Sequence, residues 1–177
     1  MMMRIFAWCL TCMVFAFAVG QNQLPLPHGA MEETDGESGA LLGWANASDG
    51  NASFSVITSE LIPGSSMALT CQVQDLSASD FTATTTSEYA FEVEAGATYT
   101  VCFWAKASSG DASLEVRFDQ GTDDEQAVTV ALAPNWKQHC VAFVAGATHE
   151  ASVLQVAYLN ANATYWLDEV EAYAPQI

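Results

Sequence analysis

Basic residues are scarce in this sequence. The 177 residues include 4 Lys and Arg against 21 Asp and Glu, which gives a formal net charge of −17. Proteins that bind phosphate backbones or anionic lipid use clustered Lys and Arg, so this composition excludes nucleic-acid binding. With 51% hydrophobic and 14% charged residues, the chain is also unlike a disordered acidic tail. Its length and composition predict one folded domain with a sizeable core.

The sequence also lacks the short motifs that mark common catalytic sites. It contains no G-x-S-x-G, H-E-x-x-H, P-loop or dinucleotide-binding glycine motif. The three histidines, His28, His139 and His149, have no Ser or Cys partner at such a motif. Among 21 acidic residues, carboxylate pairs arise by chance and do not by themselves indicate glycoside hydrolysis. We therefore expect a protein that is not an enzyme, although it could be an accessory module of a glycoside hydrolase.

One long apolar run is present, and it lies at the N-terminus. Arg4 precedes an apolar stretch from Ile5 to Val19, and small residues surround a cleavage site before Gln21. This pattern predicts a secretory signal peptide over residues 1–20 and a secreted protein. The alternative is a transmembrane anchor, but this stretch is shorter than the roughly 20 residues that span a bilayer. We expect no membrane insertion.

Few cysteines remain once the signal peptide is removed. Cys9 and Cys12 leave with it, so the mature chain retains Cys71, Cys102 and Cys140. They form no Cys-x-x-Cys pair and have no nearby His pair, which gives no zinc signature. In an oxidising compartment, three cysteines allow one disulfide and one free thiol.

The rest of the chain reads as short strands separated by Gly, Pro, Asp, Asn and Ser. No segment keeps the helical spacing of apolar residues over any length, whereas several alternate with the period of two that buries one face of a strand. Such runs at roughly 8–12-residue spacing predict an all-β antiparallel two-sheet sandwich over residues 28–174, after a flexible lead-in at 21–27. The predicted strands are Phe54–Thr58, Ser66–Val73, Tyr89–Val93, Thr98–Ala107, Ser113–Phe118, Gln126–Leu132, Lys137–Val144, Ser152–Leu159 and Tyr165–Ala172.

Five segments, taken in order, resemble a known family. They are HGAMEE at 28–33, Gly43-Trp44, TYTVCFWAKASSG at 98–110, PNWKQHCVAFVA at 134–145 and ATYWLDEVEAYA at 163–174. The set is similar to the carbohydrate-binding modules of families 4, 9 and 22. In these modules an "NGDFE"-like start, a "GW", a "YTLSFWAKA"-like strand, an "EWQ" strand and a final "YIDDV" strand punctuate a β-jelly roll. The resemblance covers residues 28–174.

This resemblance implies a jelly-roll fold and a non-catalytic function. We expect a monomeric carbohydrate-binding module whose partner is a plant- or algal-type polysaccharide such as xylan or β-glucan. The alternative is a structural or adhesive extracellular sandwich that keeps the fold without binding sugar.

The resemblance also suggests where a sugar would bind. Sugar-binding sheets combine aromatic platforms with hydrogen-bonding side chains. In the family, an exposed aromatic stands on the strand before the "YT" strand, which here corresponds to Phe81 with Thr85. Gln155 has the polar parity at which relatives place a hydrogen-bonding side chain, and Arg117 and Gln126 lie on neighbouring strands.

Most of the other aromatic residues are expected to pack inside the protein. One group shares the apolar parity of its strands, and these residues are Tyr99, Phe103, Phe118, Phe143 and Tyr158. The tryptophans of the family-like motifs are expected to be structural as well, and these are Trp44, Trp104, Trp136 and Trp166.

A structural Ca²⁺ ion is the second implication of the resemblance. Glu32 matches the acid of the start motif, and Asp168 matches the first Asp of "YIDDV". Backbone carbonyls of the turn from Pro63 to Ser66, and others near Gly29, would complete the site. Ca²⁺ takes six to eight oxygen ligands, which loop carbonyls and carboxylates can supply.

A disulfide between Cys102 and Cys140 is the third expectation. In the implied topology the two strands that contain them are antiparallel neighbours, and each cysteine lies off the apolar parity of its strand. Directly opposed residues of an antiparallel pair are close enough to form a disulfide. Cys71 shares the parity of Met67 and Leu69 and is expected to be a buried free thiol. A register slip is the alternative that would separate the two cysteines.

Overall fold

The fold was obtained as a computed structural model. It describes residues 21–24, 26, 31–37, 42–46, 52–74, 83–87, 90–118, 123, 125–160 and 162–175. The predicted signal peptide at 1–20, the start of the HGAMEE segment and Phe81 lie outside these residues. Within them the chain forms strands and turns without a helix, so no helix there is long and apolar enough to cross a membrane.

Thirteen strands are present in the described part of the chain. They are β1 (Gln21–Gln23), β2 (Trp44–Asn46), β3 (Ala52–Ile57), β4 (Ala68–Val73), β5 (Ala83–Ser87), β6 (Phe91–Val93), β7 (Thr98–Ala107), β8 (Ser113–Phe118), β9 (Gln126–Ala131), β10 (Lys137–Val144), β11 (His149–Ser152), β12 (Leu154–Tyr158) and β13 (Ala163–Pro175). Every pairing between them is antiparallel. The predicted all-β class is confirmed.

The strands form two main sheets and a ribbon. The larger sheet has the order β10-β7-β13-β4-β3, with β1 paired to the last residues of β13. The smaller sheet has the order β2-β5-β12-β8-β9, and β11 and β6 form a two-stranded ribbon. This agrees with the predicted sandwich and adds the ribbon to it.

The core lies between the two main sheets and is rich in aromatic rings. Phe118 of the smaller sheet stacks on Phe143 of the larger sheet with ring centroids 5.0 Å apart. Tyr158 and Tyr165 also join the sheets, with their ring centroids 5.0 Å apart and the rings tilted by 58°. The aromatic residues predicted to share the apolar parity of their strands are all buried, as expected from period-two alternation. They are Tyr99, Phe103, Phe118, Phe143 and Tyr158.

The first strand differs from the expectation for the lead-in. Residues 21–27 were expected to be flexible, but Gln21–Gln23 pair with Tyr173–Pro175. The Leu24 N–H then donates to the Ala172 carbonyl oxygen at 2.8 Å. A polar three-residue strand has no periodicity to identify it, and the end of β13 supplies the partner that makes it a strand.

The cysteines are arranged as predicted. Cys102 and Cys140 face each other directly in the register of β7 and β10 and form a disulfide, with their Cα atoms 4.1 Å apart. Cys71 is a buried free thiol, and burial raises its pKa to about 12. A thiol with such a pKa stays protonated and packs as a small apolar group.

Candidate functional sites

A row of five aligned residues crosses the smaller sheet. The strand register aligns Ala45, Thr86, Gln155, Arg117 and Ala127 in that order across five strands. Residues on either side of this row along the strands, such as Val116 and Val156, face the core. The alternation of β8 and β12 therefore directs Gln155 and Arg117 away from the core and onto one face.

Gln155 and Arg117 are in direct contact. Arg117 Nη1 donates to Gln155 Oε1 at 3.1 Å, and Arg117 Nε donates to Glu115 Oε1 at 2.7 Å. The Arg117 and Glu115 side chains are 25% and 22% exposed, whereas Gln155 as a residue is only 7% exposed. The site thus offers a half-buried guanidinium and carboxylate, both oriented by neighbours. Such groups can exchange hydrogen bonds with hydroxyl groups at the surface of the sheet.

Two of the other residues proposed for sugar binding are not part of this row. Gln126 spans to β10, where its Nε2 donates to the Val144 carbonyl oxygen and its Oε1 accepts from the Val144 N–H at 3.3 Å. It therefore links the edges of the two sheets. Thr85 is in register with Val156, and Thr86 is the position aligned with Gln155. Phe81 lies outside the described residues.

Glu32 contacts the loop between β3 and β4, which contains Ser65 and Ser66. Its Oε1 accepts from Ser65 Oγ and from the Ser66 N–H, both at 2.9 Å, and Ser66 Oγ donates to its Oε2. Desolvation raises the pKa of Glu32, but the hydrogen bonds from Ser66 and Ser65 outweigh it, so the net pKa lies below the usual value. The carboxylate is held ionised. Pro63 is exposed in the turn just before these serines.

Asp168 is the second carboxylate of this region and is fully buried, with 0% exposure. The register of β13 and β7 shifts between Asp168 and Glu171, and Glu169 has a φ of 46°, which marks a β-bulge. Asp168 Oδ1 accepts from the Glu169 N–H at 2.8 Å, while Oδ2 has no hydrogen-bond partner among the described residues. Burial raises the pKa of Asp168 to about 6.

Oxygen acceptors outnumber donors around Ser65. Its hydroxyl lies 2.9 Å from Glu32 Oε1 and 2.7 Å from the Met67 carbonyl oxygen. One hydroxyl proton cannot be donated fully to two acceptors at once. The described residues hold no group of three or more His, Cys, Asp or Glu side chains suited to a metal. A hard cation here would therefore take two carboxylates and draw its other ligands from carbonyl and hydroxyl oxygens, which is a set that fits Ca²⁺.

The outer face of the larger sheet carries an aromatic cluster that the sequence reasoning did not identify. Trp44 is buried in the core as expected, but Trp104, Trp136 and Trp166 are only partly buried. Lys106 Nζ lies 5.3 Å from the centre of the Trp136 ring and 4.7 Å from that of Trp166. Strand parity in the sequence indicates part of this cluster. Trp104 and Lys106 have the opposite parity to the core residues Tyr99, Val101 and Phe103, so they lie on the other face of β7.

Sequence comparison gives no match for this chain. No protein-family model matches it, and no curated protein does. The comparison with solved structures is therefore the one that relates the chain to known proteins.

Several solved structures share this fold. An arabinose-bound GH51 α-L-arabinofuranosidase aligns over 89% of this chain with a TM-score of 0.70 and 16% identity, and the chain spans 27% of that protein. A CBM4 structure aligns over 75% of this chain and 94% of its own, with a TM-score of 0.56 and 22% identity. The CBM22-1 xylan-binding domain of Paenibacillus barcinonensis Xyn10C aligns over 90% and 99%, with a TM-score of 0.57 and 15% identity. The predicted jelly-roll sandwich, as seen in carbohydrate-binding modules, is confirmed as the fold of this chain.

Proposed function

We propose that this chain is a secreted, monomeric and non-catalytic carbohydrate-binding module for a plant- or algal-type polysaccharide such as xylan or β-glucan. The contact between Arg117 and Gln155 on the outer face of the smaller sheet carries this proposal. Arg117 and Gln155 hydrogen-bond each other at 3.1 Å, and a 2.7 Å hydrogen bond to Glu115 also orients Arg117. Both residues were proposed for sugar binding from the sequence. The fold, which it shares with a CBM4 and a xylan-binding CBM22, supports it.

The non-catalytic role and the accessory role have separate support. The sequence lacks common catalytic motifs. The similarity to the arabinofuranosidase covers 27% of that protein, which is the size relation expected of a module in a larger hydrolase. Secretion is supported by the signal-peptide pattern at 1–20.

Affinity electrophoresis and calorimetry with soluble xylan, β-glucan and β-1,4-galactan test the sugar-binding proposal. We expect binding to xylan or β-glucan, and Arg117→Ala should weaken it about tenfold, because it removes hydrogen bonds made by a charged group. Lys137→Ala is the matched control, since it deletes one positive charge from an exposed position on β10 of the other sheet. Equal losses in both variants would point to a general charge effect and contradict the site.

The alternative is a structural or adhesive sandwich that does not bind sugar. The 7% exposure of Gln155 favours it, because a covered amide cannot contact a ligand without rearrangement. The five aligned positions of the row on the smaller sheet also include no aromatic residue. Absence of binding to all three polysaccharides, with the protein folded, would support this alternative.

We also propose that Ca²⁺ binds between Glu32 and Asp168 and acts as a structural ion. The unpartnered Asp168 Oδ2 and the excess of acceptors around Ser65 support this site. The ion would neutralise a buried carboxylate that is costly to leave unpaired.

Thermal unfolding with and without a chelator tests the calcium site. A ligand that binds only the folded state raises the Tm by mass action, so we expect a chelator to lower the Tm of the wild type. Asp168→Ala should abolish that response. Glu92→Gln, at an exposed position of β6, should retain it. A chelator that leaves the wild-type Tm unchanged would show that the site does not bind calcium.

A further inference from the structure

We propose that Trp136 and Lys106 clamp the loop between β3 and β4 and so position its serines for cation binding. This inference rests on the calcium site proposed above and assigns a role to residues outside it. The clamp consists of Glu60 in the loop, Lys106 on β7 and Trp136 just before β10.

Glu60 is held at three points. Its carbonyl oxygen accepts from Trp136 Nε1 at 2.6 Å and from Lys106 Nζ at 3.4 Å, and its Oε2 lies 3.3 Å from Lys106 Nζ. Glu60 has a φ of 59°, in the left-handed region that residues other than Gly, Asn and Asp rarely adopt. Such a conformation persists when its surroundings over-determine it, and the bonds to its carbonyl provide that restraint.

Lys106 is fixed strongly enough to act as an anchor. It is only 8% exposed, and its ammonium lies between the Trp136 and Trp166 rings. A buried ammonium needs partners to offset its desolvation. The two indole faces and Glu60 provide them, so the lysine, both rings and the loop are held together.

The second half of the same loop contacts the cation site. Ile62 is buried, and the Ser65 N–H donates to the Ile62 carbonyl oxygen at 3.2 Å across a turn in which Gly64 has a φ of 101°. The turn places Ser65 and Ser66 against Glu32. A glycine at Gly64 permits this left-handed turn at little steric cost.

The clamp and the site also share a rigid strand. Trp166 and Asp168 lie on β13, and the register aligns them with Lys106 and Trp104 of β7. The clamp therefore holds the loop at Glu60, and Glu32 holds it at Ser65 and Ser66. Strand β13 contributes Trp166 beside the clamp and Asp168 to the cation site. Releasing the clamp should let the loop sample conformations in which the serine oxygens no longer face the carboxylates.

Calcium affinity measured by calorimetry tests the clamp, together with the Tm in chelator. Trp136→Phe keeps an aromatic ring beside Lys106 but removes the N–H donor. We expect it to raise the Kd for Ca²⁺ about fivefold, which is the usual effect of one lost hydrogen bond. Lys106→Met should weaken binding as well, and Lys106→Arg should restore part of it. The matched control is Tyr173→Phe, which removes one hydroxyl donor to Glu171 on the same face of β13.

The outcomes separate the clamp from the calcium site itself. A higher Kd in Trp136→Phe, with the control unchanged, supports the clamp. If the wild type binds Ca²⁺ and Trp136→Phe binds it equally well, the clamp is refuted and the calcium site stands, even if the Tm in chelator falls. If the wild type binds no Ca²⁺, both are refuted.

Discussion

His139 illustrates how a single residue can couple the fold to pH. Its ring stacks on Phe103 with centroids 5.6 Å apart, and its Nε2 is buried without a hydrogen-bond partner among the described residues. Burial, with a smaller contribution from the charge of Lys137, lowers its pKa below the usual value. The unfolded chain, in which the pKa is about 6.5, therefore binds a proton at a higher pH than the folded chain does.

Because the folded chain takes up this proton less readily than the unfolded chain, the free energy of unfolding should fall as the pH falls. The contribution of neutral His139 is fully present above about pH 6.5 and is lost as the pH falls below that value towards the folded pKa. We expect the free energy of unfolding to decrease between about pH 7.5 and about pH 5.5, and His139→Gln to reduce this decrease. Denaturant titrations at both pH values measure it, with His149→Gln as the control. Equal slopes in His139→Gln and wild type would contradict this role for His139.

The residues of the candidate sites differ in how far the sequence identified them. Gln155 was predicted from the polar parity of its strand and Arg117 from its place on a neighbouring strand, and the register brings them together. The location of Asp168 in a bulge depends on the left-handed conformation of Glu169, which no local sequence signal indicates. Placing Lys106 between Trp166 of β13 and Trp136, just before β10, requires the strand order as well as parity.

At the level of elements, alternation decided which strands could be predicted. Strands β7, β8 and β10 have the predicted bounds, and in β7 and β8 the apolar residues alternate with period two. Strands β2 and β5 were not among the strands predicted from the alternation of apolar residues. Strand β5 is the polar sequence ATTTS, and it is a strand because β2 and β12 pair with both of its edges. Tertiary pairing therefore overrides the weak local signal.

The disulfide between β7 and β10 should contribute to the stability of the fold. It closes a loop between residues 38 apart in sequence. In the chain-entropy account, a loop of this length contributes about 4 kcal/mol by restricting the unfolded chain. We expect the double variant Cys102→Ala/Cys140→Ala to lose about 3–4 kcal/mol in denaturant unfolding. Cys71→Ala, the control, removes a thiol without opening a loop, so an equal loss in that variant would contradict the loop-closure account.

At the level of the whole molecule, the two main sheets carry different candidate sites on their outer faces. The smaller sheet presents the Arg117 and Gln155 row, and the larger sheet carries Asp168 with the tryptophan cluster beside it. The inner faces of both sheets pack against each other in one core. The residues proposed for sugar binding and for cation binding therefore lie on different sheets, and Lys137 of the larger sheet serves as the control for Arg117.

The large negative net charge should make the stability of the protein depend on salt. At −17, with 4 basic residues, the folded protein brings like charges together and is destabilised by their repulsion. Salt screens this repulsion, since the Debye length falls from about 30 Å at 0.01 M to about 8 Å at 0.15 M. We expect the Tm to rise by about 2–4 °C over this range, equivalent to about 1 kcal/mol for a chain of this size. The measurement is made in chelator, so that calcium binding does not contribute, and an equal osmolality of sucrose is the control for non-ionic effects. A Tm that stays constant or falls as salt is added would show that charge repulsion does not limit the stability of the fold.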